Sequence, residues 1–136
     1  MDTGLETLGR DECLRLLASV PVGRIVYSDG ALPSCAPVNF ALDGAAVAFR
    51  TVPGSRIATA TDDAVVAFEV DHVDPDDCTG WSVLVTGTAR VVRDTGTAVR
   101  LDQLALVSWV GADRTQWVRI TPTIITGRML RTVPVA

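Results

Sequence analysis

The sequence predicts a mainly β fold, one antiparallel β-barrel with two or three helices on its surface. Three observations carry that expectation. Apolar residues recur in short strand-like runs, among them Ile25-Val26-Tyr27, Ala45–Phe49 and Ala64–Val70, each bounded by turn residues. Two Asp-Gly pairs, Asp29-Gly30 and Asp43-Gly44, stand close together and mark successive hairpins of a meander. The longest strand pattern, Trp81–Val92, contains Gly87, as a strand does where it bends at a barrel corner. At 136 residues the chain has the size of one domain. Residues 1–136 are therefore read as a single unit, with flexible tails at 1–7 and 132–136.

The first element is a helix. Gly9 stands at the N-cap, Asp11 and Glu12 fall in the first turn, and Cys13, Leu14, Leu17 and Val20 recur near helical spacing until Pro21. Strands follow from Gly23 to Ser28 and from Leu32 to Leu42. In the latter, Pro33 and Pro37 remove two ladder donors and imply an edge or a bulge. After Ala45–Phe49, a turn at Pro53-Gly54 leads into a short helix from Ser55 to Ala60, and Ala64–Val70 is the next strand. Asp71–Gly80 reads as a polar loop. Asp94 can cap a helix through Leu106, with Val99, Leu101, Leu104 and Ala105 as its apolar stripe. Two last strands, Gln116–Pro122 and Thr123–Leu130, are expected to break at Pro122.

Composition excludes several classes. The chain is 48% hydrophobic, too apolar for a disordered protein. All 12 basic residues are arginines, yet the net charge is -4, which argues against a general nucleic-acid binder. No apolar run reaches membrane-spanning length. The N-terminus lacks the basic and apolar regions of a signal peptide, so a cytoplasmic location is expected. Cys13, Cys35 and Cys78 lie far apart and are read as reduced thiols, mostly small apolar fillers.

The stretch with the clearest chemistry is Phe49-Arg50-Thr51-Val52-Pro53-Gly54-Ser55-Arg56-Ile57. Gly54 lets the backbone turn with positive φ and approach a ligand. Ser55 can cap the helix behind it, and Arg50 and Arg56 bracket the resulting anion site with guanidinium forks suited to phosphate. The alternative is a surface turn whose arginines pair with Asp62 or Asp63. The acids of 71–80 lack the spacing of a calcium loop, so a solvated loop is expected there and no metal site. His72 is the single histidine, and no Ser or Cys is tied to it by a recognisable motif, so triad hydrolysis is not expected.

Taken in order, several motifs resemble the flavin-binding split-barrel family related to pyridoxamine 5′-phosphate oxidase. They are Val22-Gly23-Arg24, Pro37-Val38-Asn39-Phe40, Phe49-Arg50-Thr51 with Gly54-Ser55-Arg56, Gly80-Trp81-Ser82-Val83 with Thr86-Gly87, and Ile120-Thr121-Pro122 with Thr126-Gly127-Arg128. The resemblance spans about residues 8–130 and implies a six-stranded split barrel. It also implies a homodimer with a flavin in each of two clefts between subunits. On that likeness Arg50, Thr51, Ser55 and Arg56 would hold the flavin phosphate. Arg56 stands where the family often has lysine. Pro37, Val38 and Asn39 would line the isoalloxazine, Trp81 and Ser82 would close the cleft, and Arg128 would reach in from the partner subunit. For Trp81 a core or interface role is an equal reading, and for Arg128 a surface role.

The function this implies is an FMN-dependent oxidoreductase acting on a small molecule, with NAD(P)H as a possible partner. The deazaflavin F420 on the same fold is the alternative cofactor. A module that only holds flavin, or haem with His72 as ligand, is another reading, and a cofactor-free scaffold is a fourth. True pyridoxamine phosphate oxidases carry a C-terminal substrate-phosphate segment with Arg and His. Arg131–Ala136 has no such histidine, so that reaction is not expected.

Overall fold

Alternating burial along most strands shows what the sheet does: one face of each strand is packed and the other is open. In the computed structural model, which describes residues 4–104, 106 and 111–131, the order is β1 (Leu5–Leu8), α1 (Arg10–Leu17), β2 (Val22–Asp29), β3 (Leu32–Asp43), β4 (Ala46–Thr51), α2 (Arg56–Thr61), β5 (Ala64–Asp74), β6 (Thr79–Val91), α3 (Thr95–Asp102) and β7 (Gln116–Leu130). The strands form one antiparallel sheet in the order β1-β7-β4-β3-β2-β5-β6, and β6 also pairs with β7. That last pairing closes β2 to β7 into a six-stranded barrel, and β1 adds a seventh strand beside β7.

The two Asp-Gly hairpins form as expected, one residue further on. Asp29 pairs with Leu32 and Asp43 with Ala46, so the loops are Gly30-Ala31 and Gly44-Ala45. The glycines, at φ 64 and 61, supply the positive φ that a type II′ turn needs at its first central residue. Inside the barrel, Phe40 and Phe68 meet edge to face with centroids 4.8 Å apart. Gly23 lies under the Phe68 ring, where a Cβ would sit 2.3 Å from Cζ. At the barrel's end α1 docks through Cys13 onto Gly127, whose missing side chain leaves room for the sulfur. Burial pushes the Cys13 thiol above its ordinary range. No helix among the described residues is long and apolar enough to cross a membrane.

Six expectations need correction. Residues 5–8 are a strand paired with 127–130 of β7, not a tail; a four-residue segment is too short to carry a periodic signal. Asp71–Gly80 is not a loop: β5 and β6 run through it, pairing His72 with Trp81, and only Pro75–Cys78 turn. There Asp74 accepts hydrogen bonds from the backbone N–H groups of Asp76 and Asp77, so acids that read as loop residues sit on solvated hairpin arms. The chain does not break at Pro122, because Gly87 faces Pro122 while Thr86 faces Ile124. The register shift leaves Thr123 without a partner and absorbs the missing N–H. Helix α3 is capped by Asp94, which accepts from Thr97 N at 2.8 Å, but it ends at Asp102. Leu101 is buried and Val99 is exposed; Ala105 and residues 132–136 lie outside the described residues. Of the cysteines only Cys13 is a buried filler, and Cys35 and Cys78 are exposed. Finally, β3 is an edge only along 32–39, where it pairs with β2 alone. The Phe40 N–H donates to Pro21 on the β2 side. Alternation therefore turns the N positions of Pro33 and Pro37 toward the open side, where no ladder bond is lost.

The outward face of β3, β2, β5, β6 and β7 carries a cross-strand row of Cys35, Val26, Ala67, Thr86 and Ile124, and Leu84 stands one row away. Ile124 is 55% and Leu84 42% exposed. Beside them Arg24 Nη1 lies 3.4 Å from Glu69 and 3.5 Å from Asp71. Burial first, then the shared hydrogen bond and repulsion with Asp71, push the Glu69 carboxyl up to about 7 against the opposing pull of Arg24.

Two predictions follow from this packing. A Cβ on Gly87 would lie 2.1 Å from the Thr121 carbonyl oxygen, which belongs to the backbone and cannot swing aside. Gly87→Ala is expected to destabilise the fold by about 1–3 kcal/mol in denaturant melts, whereas Gly96→Ala on the exposed start of α3 should gain a few tenths or more. Because the folded protein holds the Glu69 proton that the unfolded chain releases near 4.5, stability contributed at this site falls as pH rises from 4.5 to about 7. Glu69→Gln should therefore raise stability at pH 8 and leave it unchanged at pH 4, and equal melting shifts at both pH values would contradict this.

Candidate functional site

Strands β3 and β4 pair from Asp43/Ala46 to Phe40/Phe49 and then part. Asn39 and Arg50 are the next residues on either side of the opening. Beyond it, β4 stays with β7 through Arg50–Trp117 and Thr51–Gln116, while β3 stays with β2. This split in the barrel wall is the place where a ligand can meet the edge of β3 and the end of β4 together.

The turn after β4 takes the expected form. Ser55 N–H donates to the Val52 carbonyl at 3.1 Å, and Gly54 has φ 73, the type II arrangement with Pro53 and Gly54 at its centre. The turn places the Ser55 hydroxyl 3.0 Å from that of Thr51, which is 2% exposed. Ser55 Oγ also accepts from the Ala58 N–H at 3.2 Å and so caps α2. Helix α2 has only six residues, so its dipole adds little and the arginines carry the electrostatics.

Arg50 and Arg56 differ sharply. Arg56 is 82% exposed, and its Nε donates to Asp29 at 2.7 Å, which holds its pKa above the ordinary value. The structure thus turns Arg56 away from Arg50, toward an acid in neither of the expected positions; Asp62 and Asp63 pair with Arg93 and Arg90. Arg50 instead lies over the Trp117 ring, 5.2 Å from its centroid, and its buried Nε has no hydrogen-bond partner among the described residues. Among the described residues eight arginines are ion-paired, and Arg10, Arg50, Arg114 and Arg128 are not. A buried guanidinium donor without a partner among the described residues is a group that an anion can complete, and the linked hydroxyls of Thr51 and Ser55 follow it in the chain, with Thr51 turned to the inward face of β4.

The other expected residues fall into two groups. On β3, Pro37 is exposed, but the Val38 side chain is buried in the core, so Val38 can face a ligand only through its backbone. On β6, Ser82 pairs with Arg128 and with Asp71 on the outer face, while Trp81, which pairs with His72 and Met129, turns to the other face and packs against the core. Trp81, Ser82 and Arg128 line a cavity of about 340 Å³ with Asp71, Val73 and Leu130. From Pro37 the cavity begins two strand spacings away at β5, and Trp81 and Ser82 on β6 are three spacings away, or about 14 Å around a convex wall. One chain does not bring the two groups together. A separate cavity of about 490 Å³, between the end of α1 and Phe40–Leu42, is apolar and contains none of the expected site residues. No group of three or more metal-ligating side chains occurs among the described residues.

Two residues with a part in this geometry escape a reading of the sequence. Trp117 looks like one more strand aromatic, yet it is 2% exposed and its indole N–H donates to Asp102 at 2.7 Å. Asp102 looks like a helix-surface acid. Only the pairing of Arg50 with Trp117 across β4 and β7, and the docking of α3 over Ala48, place them beside Arg50.

Known proteins of the same shape agree with this architecture. A family described as pyridoxamine 5′-phosphate oxidase matches residues 9–129. Uncharacterized protein Rv0080 of Mycobacterium tuberculosis is 42% identical over 125 residues, 88% of this chain and 82% of that protein. The structure of the FAD binding protein from Mycobacterium smegmatis superposes with a TM-score of 0.83 at 38% identity, covering 94% of this chain and all of that one, 100%. A conserved protein of unknown function from Corynebacterium diphtheriae, DIP1874, gives 0.80 at 34% identity, covering 93% and 98%. With a match that spans all the motifs set out above and the barrel they build, this chain belongs to the pyridoxamine 5′-phosphate oxidase family.

Proposed function

We propose that this protein binds a flavin nucleotide at the split between β3 and β4 and serves as an oxidoreductase on a small molecule. The observation that carries the reading is Arg50, whose buried Nε has no partner among the described residues; the linked hydroxyls of Thr51 and Ser55 follow it in the chain. The ligand phosphate would take those three groups, with Arg56 contributing once it leaves Asp29. The outward-turned edge of β3 at Pro37 and Asn39 would meet the ring. A bound flavin supplies hydride or electron transfer, and the residues of this chain supply its orientation and electrostatics. FMN is the smallest flavin with the required phosphate. FAD is a second reading, favoured because the 38% identical M. smegmatis protein is an FAD binding protein.

The distance between the two groups of residues leads to a homodimer. Apolar Val26, Leu84 and Ile124 on the outer face are the surface a second copy would cover. Such a pairing would set Trp81, Ser82 and Arg128 of the partner subunit against the Arg50 side of this one, closing the cleft that a single chain leaves open. Arg128 has no carboxylate partner among the described residues, in keeping with a role toward an anionic ligand.

The absorption spectrum of the purified protein, with mass spectrometry of what denaturation releases, is expected to show flavin bands and an FMN or FAD mass. A deazaflavin mass would transfer the site to F420, and failure of added flavins to bind would defeat the proposal. Arg50→Ala should weaken FMN binding about tenfold to a hundredfold, the value of a charge-assisted hydrogen bond, and Arg56→Ala by about threefold or less because exposed ion pairs exchange at small cost. Light scattering should give a dimer mass, reduced to the monomer by Ile124→Arg. A wild-type monomer at micromolar concentration would remove the intersubunit cleft.

A further inference from the structure

The arginine at the split is held in an unusual way. Most arginines of this chain find a carboxylate, but Arg50 rests on an aromatic face. Arg50 and Trp117 are cross-strand partners of β4 and β7. Both side chains point outward, since the neighbouring Phe49 and Val118 are the fully buried, inward pair. The Trp117 ring is fixed from behind by Ala48 and Leu101. Its one polar atom, Nε1, is fixed by the Asp102 carboxylate at the last turn of α3, 2.7 Å away.

We propose that Trp117 and Asp102 are positioning residues for the ligand phosphate: Asp102 locks the indole, and the indole face holds the Arg50 guanidinium in one place at the rim of the split without neutralising it. This rests on the reading of Arg50 as the phosphate ligand. The physical reason concerns competition. A carboxylate could orient an arginine equally well, but it would occupy the same N–H donors that a phosphate must reach and would repel the incoming anion. An aromatic face orients the cation through its quadrupole and leaves the donors at the guanidinium edge available. Asp102 strengthens the arrangement. A carboxylate accepting the indole N–H polarises the ring toward higher electron density, which deepens its attraction for a cation. The acid therefore acts on Arg50 through the ring while its own charge is directed at the N–H on the far edge. A sheet aromatic and a helix-terminal acid together do what a direct ion pair would do, with the positive charge left for the ligand.

The test compares FMN with riboflavin, which lacks the phosphate, in fluorescence titrations of the whole protein. Arg50→Ala is the reference and should lower FMN affinity while leaving riboflavin within about twofold. Asp102→Ala and Trp117→Leu are expected to lower FMN affinity about tenfold, again with riboflavin nearly unchanged. Trp117→Phe, which keeps a face but not the N–H, should fall between. Added to Arg50→Ala, the Asp102→Ala change should cost nothing further, because both act on one guanidinium. If Arg50→Ala leaves the FMN-to-riboflavin ratio at its wild-type value, the phosphate reading itself is wrong. If Arg50→Ala lowers that ratio and Asp102→Ala does not, the positioning role alone is overturned. Equal weakening of both flavins by the Asp102 and Trp117 variants would mark a loss of fold and would also overturn it. Asp102→Ala lies at the end of a surface helix, so it remains informative where Trp117→Leu fails to fold.

Discussion

Everything in this fold depends on the long pairing of β6 with β7, which turns a meander into a closed barrel. The pairing runs from Gly80–Leu130 to Val91–Val118 and is interrupted once, between Thr86 and Gly87. At that point two local constraints meet. Pro122 has no N–H to give the ladder, and Gly87 has no side chain, so the strands can come within a distance that any Cβ would prevent. The bulge increases twist and lets two strands of 13 and 15 residues wrap the core instead of lying flat. A flat pair of that length could not enclose Phe40, Phe49 and Phe68.

Closure is incomplete, and the incompleteness is useful. A strand pair that parts halfway exposes backbone edge and side chains that a perfect barrel would bury. Here the parting follows Phe40 and Phe49, so the core remains sealed while Asn39 and Arg50 stand at the rim. The open side of β3 falls where Pro33 and Pro37 have no donor to lose, which also blunts the edge against unwanted strand pairing. Arg50 is then supported by an aromatic ring of β7 that is itself tied to α3. The acidic balance of the chain does not prevent a cationic site, because most acids near the arginines are already paired with others.

The outer face presents a different balance. Its apolar row is interrupted at Thr86 on β6, and Arg24, Glu69 and Asp71 lie beside it as a partly buried charge group. Burial is the first cost of ionising Glu69, and a second carboxylate, Asp71, sharing the one guanidinium adds to it. Such a group lowers the stability of the fold at neutral pH.

The sequence by itself determined the local events. The Asp-Gly hairpins, the Pro53-Gly54 turn, the Ser55 and Asp94 caps and the bend at Gly87 all depend on residues adjacent in the chain, and these are legible because backbone conformation is set within a few bonds. The motifs from Val22 to Arg128 also placed the chain in its family. The tertiary structure decided whatever depends on partners distant in sequence. That Leu5–Leu8 is a strand follows from the free edge of β7, not from its own four residues. That 71–74 and 79–80 are strand follows from pairing across the hairpin, which lets acidic side chains point to water while the backbone stays in the ladder. Arg50 and Arg56 look alike in sequence, six residues apart around one turn; Asp29 takes one and Trp117 the other, because the barrel brings β2 to α2 and β7 to β4. Pairings of that kind depend on closing the chain over long separations, and no local pattern records them.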